Sequence, residues 1–151
     1  MVYRVFRLNR SDRVGVVWLS SDVGSSIEYL FIEVVVSDDS LLLGVIYNNI
    51  DFLHLLTLLA DISLVAPNIV LCGHFNCNLL TDNTFTHNMR TLNLRSVNTT
   101  TPTHLGGVDA TLLELFFVSD AHDVALYDQL YATAFSKPNL IFITLKFSVE
   151  F

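Results

Sequence analysis

At 151 residues the chain suits one domain with a buried core of its own. A hydrophobic fraction of 52% beside only 15% charged residues argues against disorder. The excess of 15 Asp and Glu over 8 Lys and Arg, net −7, disfavours a strong electrostatic grip on nucleic acid.

The opening "MVYRVFRLNR" carries Arg4, Arg7 and Arg10, joined by Arg13, but no apolar run of the kind a signal peptide needs. These arginines read as the solvated face of a terminal strand or turn, with a basic patch for nucleic acid as the sharper alternative. "RVGVVWLS" and "SIEYLFIEVVVS" are rich in β-branched and aromatic residues, as strands are. "SDDS" (37–40) makes a turn, and "LLLGVIY" reads as the returning strand of a hairpin. From Asp51 the polar positions fall at 51, 54, 57 and 61, a helical spacing with Asp51 as N-cap. "VAPN" ends that helix, and the continuous apolar run "NIVLC" reads as a buried strand.

Next comes "GHFNCNLL", a turn from which His74 and Asn76 project. "TFTHNMRTLNL" reads as a short helix capped by Asp82 or Asn83. "TLLELFFVS", "VALYDQLYA" and "LIFITLKFSV" follow as strands, the last with Ile141, Ile143, Leu145 and Phe147 on one face. Strands dominate, so the class is α/β or α+β with a mainly antiparallel sheet. The greasiest stretches, "FLHLLTLLADI" and "LIFITLKF", are too short and too polar for a membrane span.

Cys72 and Cys77 cannot form a disulfide framework and are not spaced as CxxC, which fits a reducing, intracellular compartment, nuclear or cytoplasmic. A transition-metal site of Cys72, His74, Cys77 and His87 matches no trusted zinc spacing. A loop histidine is the plainer reading of His74. His104, after "TPT", is equally a hydrogen-bonded loop histidine before it is a base. Gly106 and Gly107 form no phosphate cradle. Glu114 lies among apolar neighbours, where an unpaired carboxylate is costly. It either keeps a polar partner or faces solvent.

In order, "LLLGVIY", a helix, "NIVLCGHFN", "TPTH", "TLLELFFVS" and "FSKPNLIFITL" resemble the C-terminal part of a non-LTR retrotransposon endonuclease domain. Such domains belong to the endonuclease/exonuclease/phosphatase superfamily, with its deoxyribonuclease-I-like fold. "YRVFRLNRSDRVGVVWLSS" resembles the strand and turn preceding the first full strand. The resemblance implies a partial β-sandwich of two mainly antiparallel sheets flanked by helices. It covers nearly the whole chain, 1–151 as one domain, but not the N-terminal part of the family's domain.

The resemblance also implies site residues. The family's strand-end loop reads G-D-F-N; here Gly73, Phe75 and Asn76 match, and His74 stands where the Asp belongs. Tyr47 matches a phosphate-contacting Tyr, and Glu114 stands for the Asp that orients a catalytic His. The family's Ser-Asp-His reads Ser136, Lys137, Pro138. Tyr47, His74, Asn76, Glu114 and Ser136 are thus the catalytic positions, as remnants. The family uses Mg²⁺, and its metal-binding Glu lies upstream of anything matched here, so no cofactor is expected. Proline cannot act as a base, and Lys137 at an ordinary pKa of about 10.4 is a cation.

The expectation is an endonuclease-like domain without phosphodiester hydrolysis. A nucleic-acid or protein binding module, or a divergent metal-dependent hydrolase using His74 or His104, are the alternatives. Nucleic acid is the partner by resemblance, weakened by the charge. Self-association through an exposed sheet edge is a further possibility, and no membrane is involved.

Overall fold

The computed structural model describes residues 5–7, 13–19, 27–36, 39–48, 52–105, 109–119, 124–130 and 140–146. Among them run β1 (Val5–Arg7), β2 (Arg13–Leu19), β3 (Ile27–Val36), β4 (Asp39–Asn48), α1 (Phe52–Ser63) and β5 (Ile69–His74). These are followed by α2 (Thr84–Thr91), β6 (Leu94–Ser96), β7 (Glu114–Ser119), β8 (Val124–Leu130) and β9 (Leu140–Leu145). Seven strands form one sheet in the order β1-β2-β3-β4-β5-β7-β6, and β8 pairs with β9 in a second sheet. The class is α+β.

Every ladder in the large sheet is antiparallel except β4 with β5, which α1 joins as a crossover. α1 buries Leu55, Leu59 and Ile62 and turns His54, Thr57 and Asp61 outward, as the polar spacing requires. It stops where the amides of Val65 and Ala66 both donate to the Ile62 carbonyl, just before Pro67. The proposed Asp51 cap lies outside the described residues.

The side chains of β4 and β5 alternate between two cores. Leu42, Ile46, Ile69 and Leu71 face α1 and α2 in the main core, with Phe31, Leu115 and Phe117. Phe75, Phe85 and Phe117 meet there with centroids 5.5–5.7 Å apart, two of the pairs edge-on. On the opposite sheet face, Leu41, Val70 and Val118 pack under Val124, Ile143 and Leu145 of the second sheet. This is the two-sheet packing expected, with helices on the outer side. Phe147, expected beside Ile143 and Leu145, lies outside the described residues.

Several boundaries differ from the sequence reading. β4 begins at Asp39 rather than Leu41, because the hairpin ladder carries Val36 onto Asp39. "LRS" (94–96) is a strand, β6, where a helix was expected to run on: the helix ends at Thr91, and Asn93 takes a left-handed φ of 57°. In "TLLELFFVS" the strand starts only at Glu114, since Thr111 instead bridges to His104. Of the four N-terminal arginines, Arg7 and Arg13 pair across the β1–β2 ladder, and Arg4 and Arg10 lie outside the described residues. No helix among the described residues is long and apolar enough to cross a membrane.

Candidate functional site

Strand register assembles the site. His74, the last residue of β5, faces Tyr47 of β4 on one side and Glu114 of β7 on the other. Three residues separated by 27 and 40 positions thus form one row across the sheet. His74 therefore belongs to a strand, not to the turn after it. It shares the face of Cys72 and points away from the core that takes Leu71 and Phe75.

The row is closed by its own contacts. The Tyr47 and His74 rings stack at 5.5 Å and 22°. His74 Nδ1 lies 3.0 Å from Glu114 Oε1, and Nε2 lies 2.7 Å from Asn76 Oδ1. Both ring nitrogens are thus engaged, Nδ1 by the Glu114 carboxylate and Nε2 by the Asn76 side-chain amide. Asn76 reaches back because its φ of 51° turns the chain left-handed just past the strand, a conformation Asn tolerates.

Glu114 keeps a polar partner, the first of the two options its sequence left open. The Thr103 hydroxyl donates to Glu114 Oε2. The Thr103 hydroxyl oxygen in turn accepts the amides of Leu113 and Glu114, each at 3.2 Å. Thr103 has no exposed surface, so this hydroxyl is a buried fixture of the carboxylate. Nothing in the sequence singled out Thr103 beyond its place in "TPTH". The segment holding it is set by Asn98, whose Oδ1 accepts the amides of Thr100 and Thr101 and whose Nδ2 donates to the Tyr127 hydroxyl at 2.7 Å. Burial pushes the Tyr127 phenol upward, against hydrogen bonds from Gln129 and Asn98 that lower it.

Gly73 sets the strand spacing beside the row. Its φ is +142°, and a Cβ there would lie 1.8 Å from the Ile46 carbonyl oxygen. Only glycine allows β5 to approach β4 this closely one residue before His74.

Tyr47, His74, Asn76 and Glu114 are therefore brought together, while Ser136, with Lys137 and Pro138, lies outside the described residues. His104 is tied to Thr111 through both backbone hydrogen bonds. The four residues of the candidate transition-metal site, Cys72, His74, Cys77 and His87, diverge. Cys77 is buried in the helix-side core, Cys72 faces the other way and His87 is exposed on α2. Among the described residues no three His, Cys, Asp or Glu side chains are grouped to hold a metal.

Magnesium calls for several free oxygen donors in octahedral array. Glu114 is the carboxylate of this row, and both its oxygens are engaged, as is the Asn76 carbonyl. Imidazole nitrogens suit other metals better. The described donor set does not fit Mg²⁺.

Two packed sheets with helices on the outer side match the deoxyribonuclease-I-like fold of endonuclease/exonuclease/phosphatase proteins. Sixteen chains of known structure match it. The endonuclease domain of TRAS1, a telomere-specific non-LTR retrotransposon, is similar with a TM-score of 0.65 at 12% identity, over 88% of this chain and 77% of that one. The human Nocturnin catalytic domain, solved with a bound sulfate anion, gives 0.59 at 16% identity, over 97% of this chain and 60% of that one. No family profile and no curated protein matches the sequence. At these identities the likeness concerns the fold.

Proposed function

We propose that this chain is a deoxyribonuclease-I-like domain, related to retrotransposon endonucleases, that does not hydrolyse phosphodiesters. The observation that supports this is the closed row itself. The oxygen atoms this row offers, those of Glu114 and the Asn76 carbonyl, are hydrogen-bonded to His74 and Thr103 rather than open to a hard cation. The resemblance adds that Pro138 stands at the position of the family's general base, a role that typically supplies roughly 10²- to 10⁴-fold.

The same reading makes this row a weak place for nucleic acid. His74 is hydrogen-bonded to its neighbour Glu114, whose carboxylate would repel a phosphate, and the chain as a whole carries −7.

The test is nicking of supercoiled plasmid by the purified chain in Mg²⁺, Mn²⁺ and Zn²⁺, beside Glu114→Gln and Asn76→Ala. No nicking above buffer is expected in any ion, and His74→Asp is expected to restore little. Metal-dependent nicking by the wild-type chain that disappears in both variants overturns the proposal, since a contaminating nuclease would not respond to them.

A further inference from the structure

A cavity of about 290 Å³ lies away from the His74 row, lined by Leu79, Asn83, Thr86, His87, Arg90 and Thr99. Four of these come from α2 and its N-cap at i, i+3, i+4 and i+7, so they form one stripe along a single helix face. Thr99 joins the lining from a separate segment, the turn that Asn98 holds through its contacts to Thr100 and Thr101. Leu79, buried, provides the only apolar lining residue.

The lining chemistry selects a ligand class. It offers a guanidinium, an imidazole, two hydroxyls and an amide, and no carboxylate. In a chain with 15 acidic and 8 basic side chains, that composition opposes the global charge. Asp82 is the nearest acid in sequence, but its carboxylate accepts the Thr84 amide at the helix start and does not line the cavity. Among the described residues the Arg90 guanidinium has no carboxylate partner. A cation would find no anionic oxygen here, and an apolar ligand would find almost no apolar wall. A tetrahedral oxyanion matches donors arriving from two sides, with Arg90 able to present its fork to two oxygens. The volume sits just below the range of pockets for drug-sized ligands, which limits the occupant to a small group.

We propose that this cavity is a phosphate-binding site, with Arg90 as its anchor and His87, Thr86, Asn83 and Thr99 completing the shell. The site is independent of the hydrolysis reading above and stands whichever way that one falls. Free phosphate and the phosphodiester of a nucleotide chain share the chemistry, and the test separates them.

The experiment is titration of the ¹⁵N-labelled full chain with inorganic phosphate, and separately with a thymidine dinucleotide, at constant ionic strength set by chloride. Saturable shifts confined to Thr86, His87, Arg90 and Thr99 are expected at millimolar phosphate. A response to both ligands, or to phosphate alone, assigns a free oxyanion. A response to the dinucleotide alone assigns a diester. Arg90→Gln should weaken binding about tenfold or more, as loss of a charge-assisted contact does. Arg90→Lys, which keeps charge but not the fork, should weaken it less, and Asn88→Ala on the same helix should leave it unchanged. No saturable response to either ligand overturns the proposal, as does a response that survives Arg90→Gln.

Discussion

Thr103→Val tests the structure of the candidate site most directly, because valine keeps the shape of threonine and removes only the hydroxyl. That hydroxyl donates to Glu114 Oε2 and accepts the amides of Leu113 and Glu114. The substitution leaves two backbone N–H groups and a carboxylate oxygen without a partner, at a side chain with no exposed surface. An unsatisfied buried group costs about 1–3 kcal/mol. The two amide bonds are long at 3.2 Å, and 17% of the Glu114 side chain remains exposed to water, so the lower end applies to each. The sum is about 3 kcal/mol. For a chain of this size that lowers Tm by roughly 6–12 °C. Thr103→Ser keeps the hydroxyl and loses a methyl, for about 1 kcal/mol. Urea unfolding followed by far-ultraviolet circular dichroism, with equal m-values across the three proteins, measures both. A Thr103→Val protein within about 1 kcal/mol of wild type, or a serine variant as damaged as the valine one, refutes the assignment of a buried polar fixture.

Gly73→Ala should destabilise by about 2–5 kcal/mol, from left-handed strain plus displacement of the Ile46 carbonyl, and the same unfolding curves show it. Burial and the nearby Asp82 charge push the Cys77 thiol up to about 11, so at pH 8 roughly one thiol in a thousand is thiolate. Iodoacetamide should therefore label Cys77 only as fast as the chain opens; rapid labelling of the folded protein, resolved from Cys72 by peptide mapping, would contradict this. The Thr84 amide holds the Asp82 carboxyl below its ordinary 3.8, so its contribution is present above that value and fades as pH falls through the folded-state titration. Asp82→Ala should accordingly speed amide exchange in α2 at neutral pH, with the difference from wild type shrinking in acid.

The apolar patterns in the sequence were enough for α1 and for most strands, because burial repeats at the period of the element. What they missed has local causes. β6 is three residues long, too short to show any period, and it follows directly on a helical pattern that extends through Leu94 in the sequence. Asp39 and Ser40 have turn propensity, and only their pairing with Val36 and Val35 makes them strand. The sequence offers both Asp82 and Asn83 as the cap of α2; the N-cap position is Asn83, but the side chain that bonds the helix is Asp82. In the site, Tyr47, His74, Asn76 and Glu114 were nameable from short motifs. Their contacts were not, since the row depends on registers linking three strands. Thr103 was invisible for the same reason: its partner lies eleven residues away across a loop, and a threonine beside a proline carries no signal of its own.

The register also explains why a histidine suits this row. Positions 74 and 114 are direct partners on an antiparallel ladder, and their side chains emerge on the same face. An aspartate at 74 would set two carboxylates opposite one another, and like charges directly opposite destabilise a sheet. His74 converts that position into an attractive pair at 3.0 Å, with Thr103 and Asn76 taking up the remaining polar atoms. Alternation along β5 keeps this change away from the core, since Leu71 and Phe75 face the helices while Cys72 and His74 face the other side. The packing that specifies the fold and the row at the strand ends are therefore separable. Retention of the first carries no information about the chemistry of the second, which rests on whether His74 and Glu114 remain paired with each other.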